Sequence, residues 1–152
     1  MRRMYSEKQI QELVKTTQGI DIANLVDEDG HPRFIKGTPT DKEVSGVTLA
    51  YNKWSLSGTH LLVVVAGSLA QQEFAFSSIV ELNDLPEWIA DKLIPVASDT
   101  IEQQAVVLYG GTNQTGYFQI RKNAQGLVYI TIAGITTNAA KTFRVQFDLL
   151  VD

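Results

Sequence analysis

From Val44 onward, apolar and polar positions alternate in short runs that punctuation residues separate. Val47, Leu49 and Tyr51 alternate with Thr48, Ala50 and Asn52, and Trp54 and Leu56 carry the pattern to Ser57-Gly58, a compact hairpin signal. Leu61–Ala66 reads as the return strand. Asp99-Thr-Ile-Glu-Gln-Gln leads into Ala105–Tyr109. Tyr117–Arg121 alternates next, Asn123-Ala-Gln-Gly126 turns the chain, and Leu127–Ile132 comes back. At the end, Phe143, Val145, Phe147 and Leu149 alternate with Arg144, Gln146 and Asp148. Period-two alternation marks antiparallel strands with one dry and one wet face, and this spacing predicts a sandwich or barrel rather than βαβ units. One helix interrupts the strands, over Asn83–Pro95, with Pro86 in its first turn, acids near its positive end and Pro95 as its stop. Trp88, Ile89 and Leu93 are placed to cover one open end of the sandwich. Trp54 and Trp88 could serve as stacking platforms for a sugar ring, but both stand in apolar patterns and read as structural.

One run breaks the alternation. Leu61, Leu62, Val63, Val64 and Val65 are apolar in both directions, so each face of that strand needs a cover. The inner face belongs to the core. The outer face is left to the Pro86 helix or to another subunit.

The first 43 residues differ in kind, carrying half of all charged side chains. Ser6 and Gln9 form a capping box, Tyr5 can staple onto Ile10, and Ile10, Leu13 and Val14 share a face before Gly19 stops a short helix. Such a helix is marginal alone and needs a partner surface. Asp27-Glu28-Asp29-Gly30 has the opening of a calcium loop, but the twelfth position is Thr38 rather than a bidentate acid. It reads instead as a tight turn joining Ile22–Val26 to Arg33–Lys36, and His31 and His60 read as ordinary surface histidines. Gly37–Glu43 looks like a linker. The expected organisation is therefore a helix and linker over residues 1–43 and a β domain over 44–152.

Composition narrows the class. A chain of 152 residues that is 44% apolar can build one full core. It has no cysteine, which removes disulfides, thiolate metal sites and a cysteine nucleophile. A formal charge of −4 argues against nucleic-acid binding. The N-terminal residues lack the apolar core of a secretory signal, and the longest apolar run, Leu61–Ala66, is too short to span a bilayer, so the chain is expected to be soluble without membrane insertion.

No catalytic constellation emerges. Glu73, Glu81, Glu87, Asp91, Asp99, Glu102 and Asp148 could supply glycosidase carboxylates, yet nothing in the sequence pairs them. Ser57, Ser68 and Ser77 lack a nucleophile elbow, and no phosphate-binding glycine loop opens a helix. Asn113-Gln114-Thr115 matches a glycosylation sequon formally and reads as loop chemistry. The expectation is a protein that is not an enzyme and has no cofactor or metal. A ligand site is expected at the polar loop Gly110–Gly116, where Tyr109 and Tyr117 offer rings and Asn113 and Gln114 offer amides to sugar hydroxyls. The same loop also reads as a plain solvated hairpin.

Four blocks, MYSEKQIQELV, YNKWSLSGTHLLVVVAGSLA, LPEWIADKLIPV and TFRVQFDLLVD, resemble successive blocks of bacteriophage and prophage appendage proteins. These are the head-fibre, tail-fibre and baseplate-attached proteins of phages infecting Gram-positive bacteria. The resemblance covers the terminal helix and most of Val44–Asp152. It implies a homotrimer at the virion surface, anchored to other virion proteins by its N-terminal segment, with a β domain that projects outward and binds host cell-surface glycan. The long central shaft of many fibres is missing here. The expected fold is an all-β, jelly-roll-like antiparallel sandwich with a short N-terminal helix and one short helix between strands. A bacterial carbohydrate-binding module without catalytic activity is the alternative from another class.

Overall fold

A computed structural model describes residues 25–151, so the helix expected between Ser6 and Gly19 lies outside the described residues. The described chain falls into two compact units that divide between Ile35 and Lys36. In the first, Val26 pairs with Pro32 around a tight turn. The Asp27 carboxylate accepts the backbone N–H groups of Asp29 and His31 at 2.9 and 2.8 Å. The acid that suggested a calcium loop closes an Asx-type turn, a use that short polar side chains have throughout proteins.

The second unit is nearly all β, as the alternation predicts. One antiparallel sheet has the strand order β1-β3-β4-β11, formed by Phe34–Gly37, Val47–Ser57, His60–Leu69 and Lys141–Leu150. A second has the order β2-β6-β9-β8-β7, formed by Thr40–Asp41, Ser77–Glu81, Val128–Ile132, Gln114–Lys122 and Thr100–Leu108. The two-residue strands β5 (Glu73–Phe74) and β10 (Ile135–Thr136) make a separate small pair. The sheets pack face to face. Leu61, Val63, Val65, Val145 and Phe147 of the first and Phe118, Ile120, Ile130 and Ile132 of the second are almost completely buried. Phe118 and Phe143 stack across the layer with ring centroids 4.8 Å apart. At one corner the sheets are stitched together, because Tyr109 and Thr142 exchange both backbone hydrogen bonds at 2.9 and 2.8 Å.

The β3–β4 hairpin closes as Ser57-Gly58 foretells. Ser57 pairs with His60 and Gly58 takes φ 64°, so the first central residue alone has positive φ, the pattern of a type II′ turn that suits the strand twist. The Asn123–Gly126 turn also forms, with the Asn123 carboxamide oxygen accepting the N–H groups of Gln125 and Leu127, both at 3.0 Å.

Two expectations change. The stretch Gly37–Glu43 is more than a linker: it contains β2, Pro39 is buried, Thr40 donates its N–H to Asn83 Oδ1 at 3.0 Å, and Asn52 Nδ2 donates to Asp41 at 2.6 Å. Side-chain amides and carboxylates anchor it, which a hydropathy pattern does not register. The helix α1 is only Glu87–Ala90. Asn83 and Asp84 are spent on Thr40 and Trp54, and the bonds from Lys92 and Leu93 run to the third residue back, so the helix tightens and stops early. Ile89 and Leu93 are buried as expected, whereas Trp88 is half-buried.

The two-sided apolar strand is β4, held between β3 and β11. On its outer face Val64 lies in register between Lys53 and Gln146, Leu62 between Ser55 and Asp148, and Ala66 between Tyr51 and Arg144. Val64 is only 8% exposed, among long side chains from both flanking strands. Helix α1 does not cover this face. Lys122 of β8, in the other sheet, donates to the carbonyls of Ala90 and Leu93 at 2.8 and 3.3 Å and ties α1 there.

Candidate functional site

The outward side chains of β3 and β4 build a groove along the first sheet. Tyr51, Lys53 and Ser55 point outward by strand alternation, while Trp54, between them, points into the core. Leu62 and Val64 of β4 line the groove beside them, and Lys36, Gly37 and Thr38 line it from the β1 side. The cavity is about 410 Å³, within the size range of small-ligand pockets.

A buried prop holds the β1 wall. Trp54 is 2% exposed and its indole N–H donates to Asp84 Oδ1 at 2.8 Å, which fixes the ring. Gly37 packs directly on that ring and its acceptor: a Cβ there would collide with the Asp84 carboxylate and fall 2.6 Å from the indole nitrogen. Absence of a side chain at Gly37 thus lets the backbone between Lys36 and Thr38 lie against Trp54 and Asp84. Tyr51 is 47% exposed, and the Lys53 ammonium lies 5.6 Å from its ring centroid, a cation–π contact that groups ring and charge at the same wall. Among the described residues no carboxylate lines the groove itself, while Asp84 lies against Gly37 and Asp148 is in register with Leu62. Its chemistry is two ammonium groups, a phenol, two hydroxyls and apolar carbon.

A second opening of about 450 Å³ lies at the seam of the sheets, lined by Gln104–Val107 and Tyr109 on one side and Arg144 and Gln146 on the other.

The four residues expected to bind ligand are not gathered into one pocket. Tyr109 lines the seam opening and is 58% exposed. Tyr117 projects from β8 opposite Ala105, on the outer face of the second sheet. Asn113 is exposed at the end of the loop. Gln114 is internal in its bonding: its Nε2 donates to the Thr136 carbonyl at 3.0 Å and its Oε1 accepts the Asn138 N–H at 2.9 Å. The loop is tied down as well. Lys141, 1% exposed, donates from its ammonium to the carbonyls of Gly110 and Thr112 and to Asn138 Oδ1. The groove residues Lys36, Thr38, Tyr51, Lys53 and Ser55 belong to no sequence motif, and the outward alternation of Tyr51, Lys53 and Ser55 beside a two-sided apolar strand is the available signal.

Four of the seven candidate carboxylates have separate partners. Glu81 pairs with Lys42 at 2.9 Å, Asp148 with His60 at 3.2 Å and Asp99 with Arg121 at 3.6 Å. Glu102 accepts from Gln104 at 2.9 Å. Among the described residues, Asp27, Asp29 and His31 hold donor atoms within 4.8 Å of one another, a grouping that the turn itself explains. No helix among the described residues is long and apolar enough to cross a membrane.

No protein-family model matches the sequence, and no curated protein matches it. Among solved structures, the chain is similar to a reovirus attachment protein, sigma1, crystallised in complex with alpha-2,3-sialyllactose. The TM-score is 0.35 and the identity 11% over 78% of this chain. The match spans 66% of that protein's chain, just under two thirds of its length. This likeness is too loose to carry residues or chemistry from one protein to the other.

Proposed function

We propose that the chain is a structural component of a phage or prophage virion, a fibre or decoration protein, whose sandwich stands at the particle surface and binds host cell-surface glycan. The groove of Lys36, Thr38, Tyr51, Lys53, Ser55, Leu62 and Val64 is the observation that carries the binding role. Its exposed ring and apolar floor suit the C–H face of a sugar, and its hydroxyls and ammonium groups suit sugar oxygens. The virion assignment rests on the resemblance of the four sequence blocks to appendage proteins. In this reading residues 1–43 contact other virion proteins and the chain assembles as a homotrimer. Supporting assembly, the edge strand β7 runs for nine residues with Glu102 as its one charge, and Val107, Tyr109 and Tyr117 leave apolar surface open beside it. A bulge near Thr100 and the Tyr109–Thr142 pairing protect the two ends of this edge, and the stretch between them offers a surface for another subunit.

A glycan array probed with the full chain tests the binding role. Binding is expected to at least one host-surface glycan, and Tyr51→Ala is expected to weaken it about tenfold, the loss of one sugar–aromatic contact of about 1.4 kcal/mol. Full-strength binding by Tyr51→Ala would move the site elsewhere.

A further inference from the structure

Resting on that reading, we infer that the ligand of the first-sheet groove is anionic: a sugar chain bearing carboxylate or phosphate groups, with Lys36 and Lys53 as its charge partners. The inference begins with how the sandwich uses its cations. Lys42 is matched by Glu81, Lys122 by the carbonyls of Ala90 and Leu93, Lys141 by three oxygens and Arg121 by Asp99. Lys36 and Lys53, like Lys92 and Arg144, have no carboxylate partner among the described residues, and what sets these two apart is that they line one groove together. In a chain whose net charge is −4, acids are plentiful, yet the two nearest the groove are engaged elsewhere: Asp84 accepts from the Trp54 indole and Asp148 pairs with His60. Two like charges beside one concavity repel each other, and a bound anion reverses that cost.

The rest of the lining discriminates further. A free inorganic anion has no use for the apolar floor of Leu62 and Val64 or for the Tyr51 ring, whereas a charged sugar presents C–H faces and an anion together. Hydroxyls of Thr38 and Ser55 can both donate and accept, as ring hydroxyls require. A protein-wide attraction for polyanions is a poor rival in a chain with pI near 5.1. The positive charge is local and shaped.

Equilibrium titration of the full chain with three probes tests this: tetragalacturonate, a glycerol phosphate tetramer and neutral maltotetraose. At least one anionic probe is expected to bind more tightly than maltotetraose, with affinity falling several-fold between about 50 and 500 mM salt as screening grows. Lys36→Gln and Lys53→Gln are each expected to weaken that binding about fivefold, the upper range for one exposed ion pair, with unchanged unfolding midpoints. Arg144→Gln, outside the groove, is expected to leave it unchanged. Preference for the uronate supports a carboxylated sugar, and preference for the glycerol phosphate supports a phosphorylated polyol. Binding of maltotetraose alone, or anion binding that both lysine variants retain in full, overturns the inference and leaves glycan recognition standing. No binding to any probe together with a blank glycan array overturns both readings.

Discussion

Lys141 shows how far a single residue can depart from what its position in a pattern suggests. It occupies the inward register of β11, the same parity as Phe143, Val145 and Phe147, and it is 1% exposed. Burying an ammonium is costly unless oxygens replace its water, and three do: the carbonyls of Gly110 and Thr112 and the amide oxygen of Asn138, the last two at 2.5 and 2.6 Å. The amine therefore fastens the loop before β8 to the loop before β11. Lys141→Met keeps much of the volume but strands those oxygens, so unfolding stability is expected to fall by about 3 kcal/mol. Denaturant titration measures it, and a loss below about 0.5 kcal/mol would mean that the cage does not hold the loop. None of this was legible in the sequence, where a lysine at a strand start reads as solvent-facing. Gln114 is a parallel case, since its amide looked available to a sugar and instead bonds Thr136 and Asn138 at both ends. Tertiary partners decide whether a polar side chain is a ligand contact or an internal brace.

Elements whose side chains follow period two were readable: β3, β8 and β11 lie where alternation puts strands, β4 and β9 return as expected from the Gly58 and Asn123 turns, and β6, whose Ser77–Glu81 does not alternate, was not singled out. Nor were the short pieces. β2, β5 and β10 are two residues each, too brief for any period, and their place is fixed by partners far along the chain. Helix α1 was overextended because proline boundaries say where a helix can run, not how much of it neighbouring strands will claim. Strand β7 carries a prediction at this scale. It is an edge strand whose exposed side chains include Ala105 and Val107, a surface proposed for a subunit contact. The chain is expected to have the mass of a trimer by light scattering at micromolar concentration. Val107→Lys is expected to shift that mass toward the monomer, because Val107 is 43% exposed and a lysine there is tolerated by an isolated subunit but desolvated in a contact. A monomeric wild-type chain would contradict the assembly, and an unaffected trimer would place the contact on another surface.

At the scale of the whole molecule, the parts divide the work between core, edge and face. The core is apolar and stacked, β7 is the last strand of its sheet and meets β11 at the seam, and the outer face of the first sheet carries a groove that Lys36 and Lys53 line. That division answers the question that β4 posed. Its outward side chains Leu62 and Val64 line the groove proposed to bind glycan, while Leu61, Val63 and Val65 pack in the core. The central claim is that such molecules stand on the outside of virus particles, and it is tested most directly by immunogold labelling. Antibodies raised against Lys36–Asp152 are applied to intact particles purified from the lysate of the host that carries the gene. Regularly spaced gold on the particle surface is the expected result, and particles that remain unlabelled while the chain is abundant in the same lysate would contradict it.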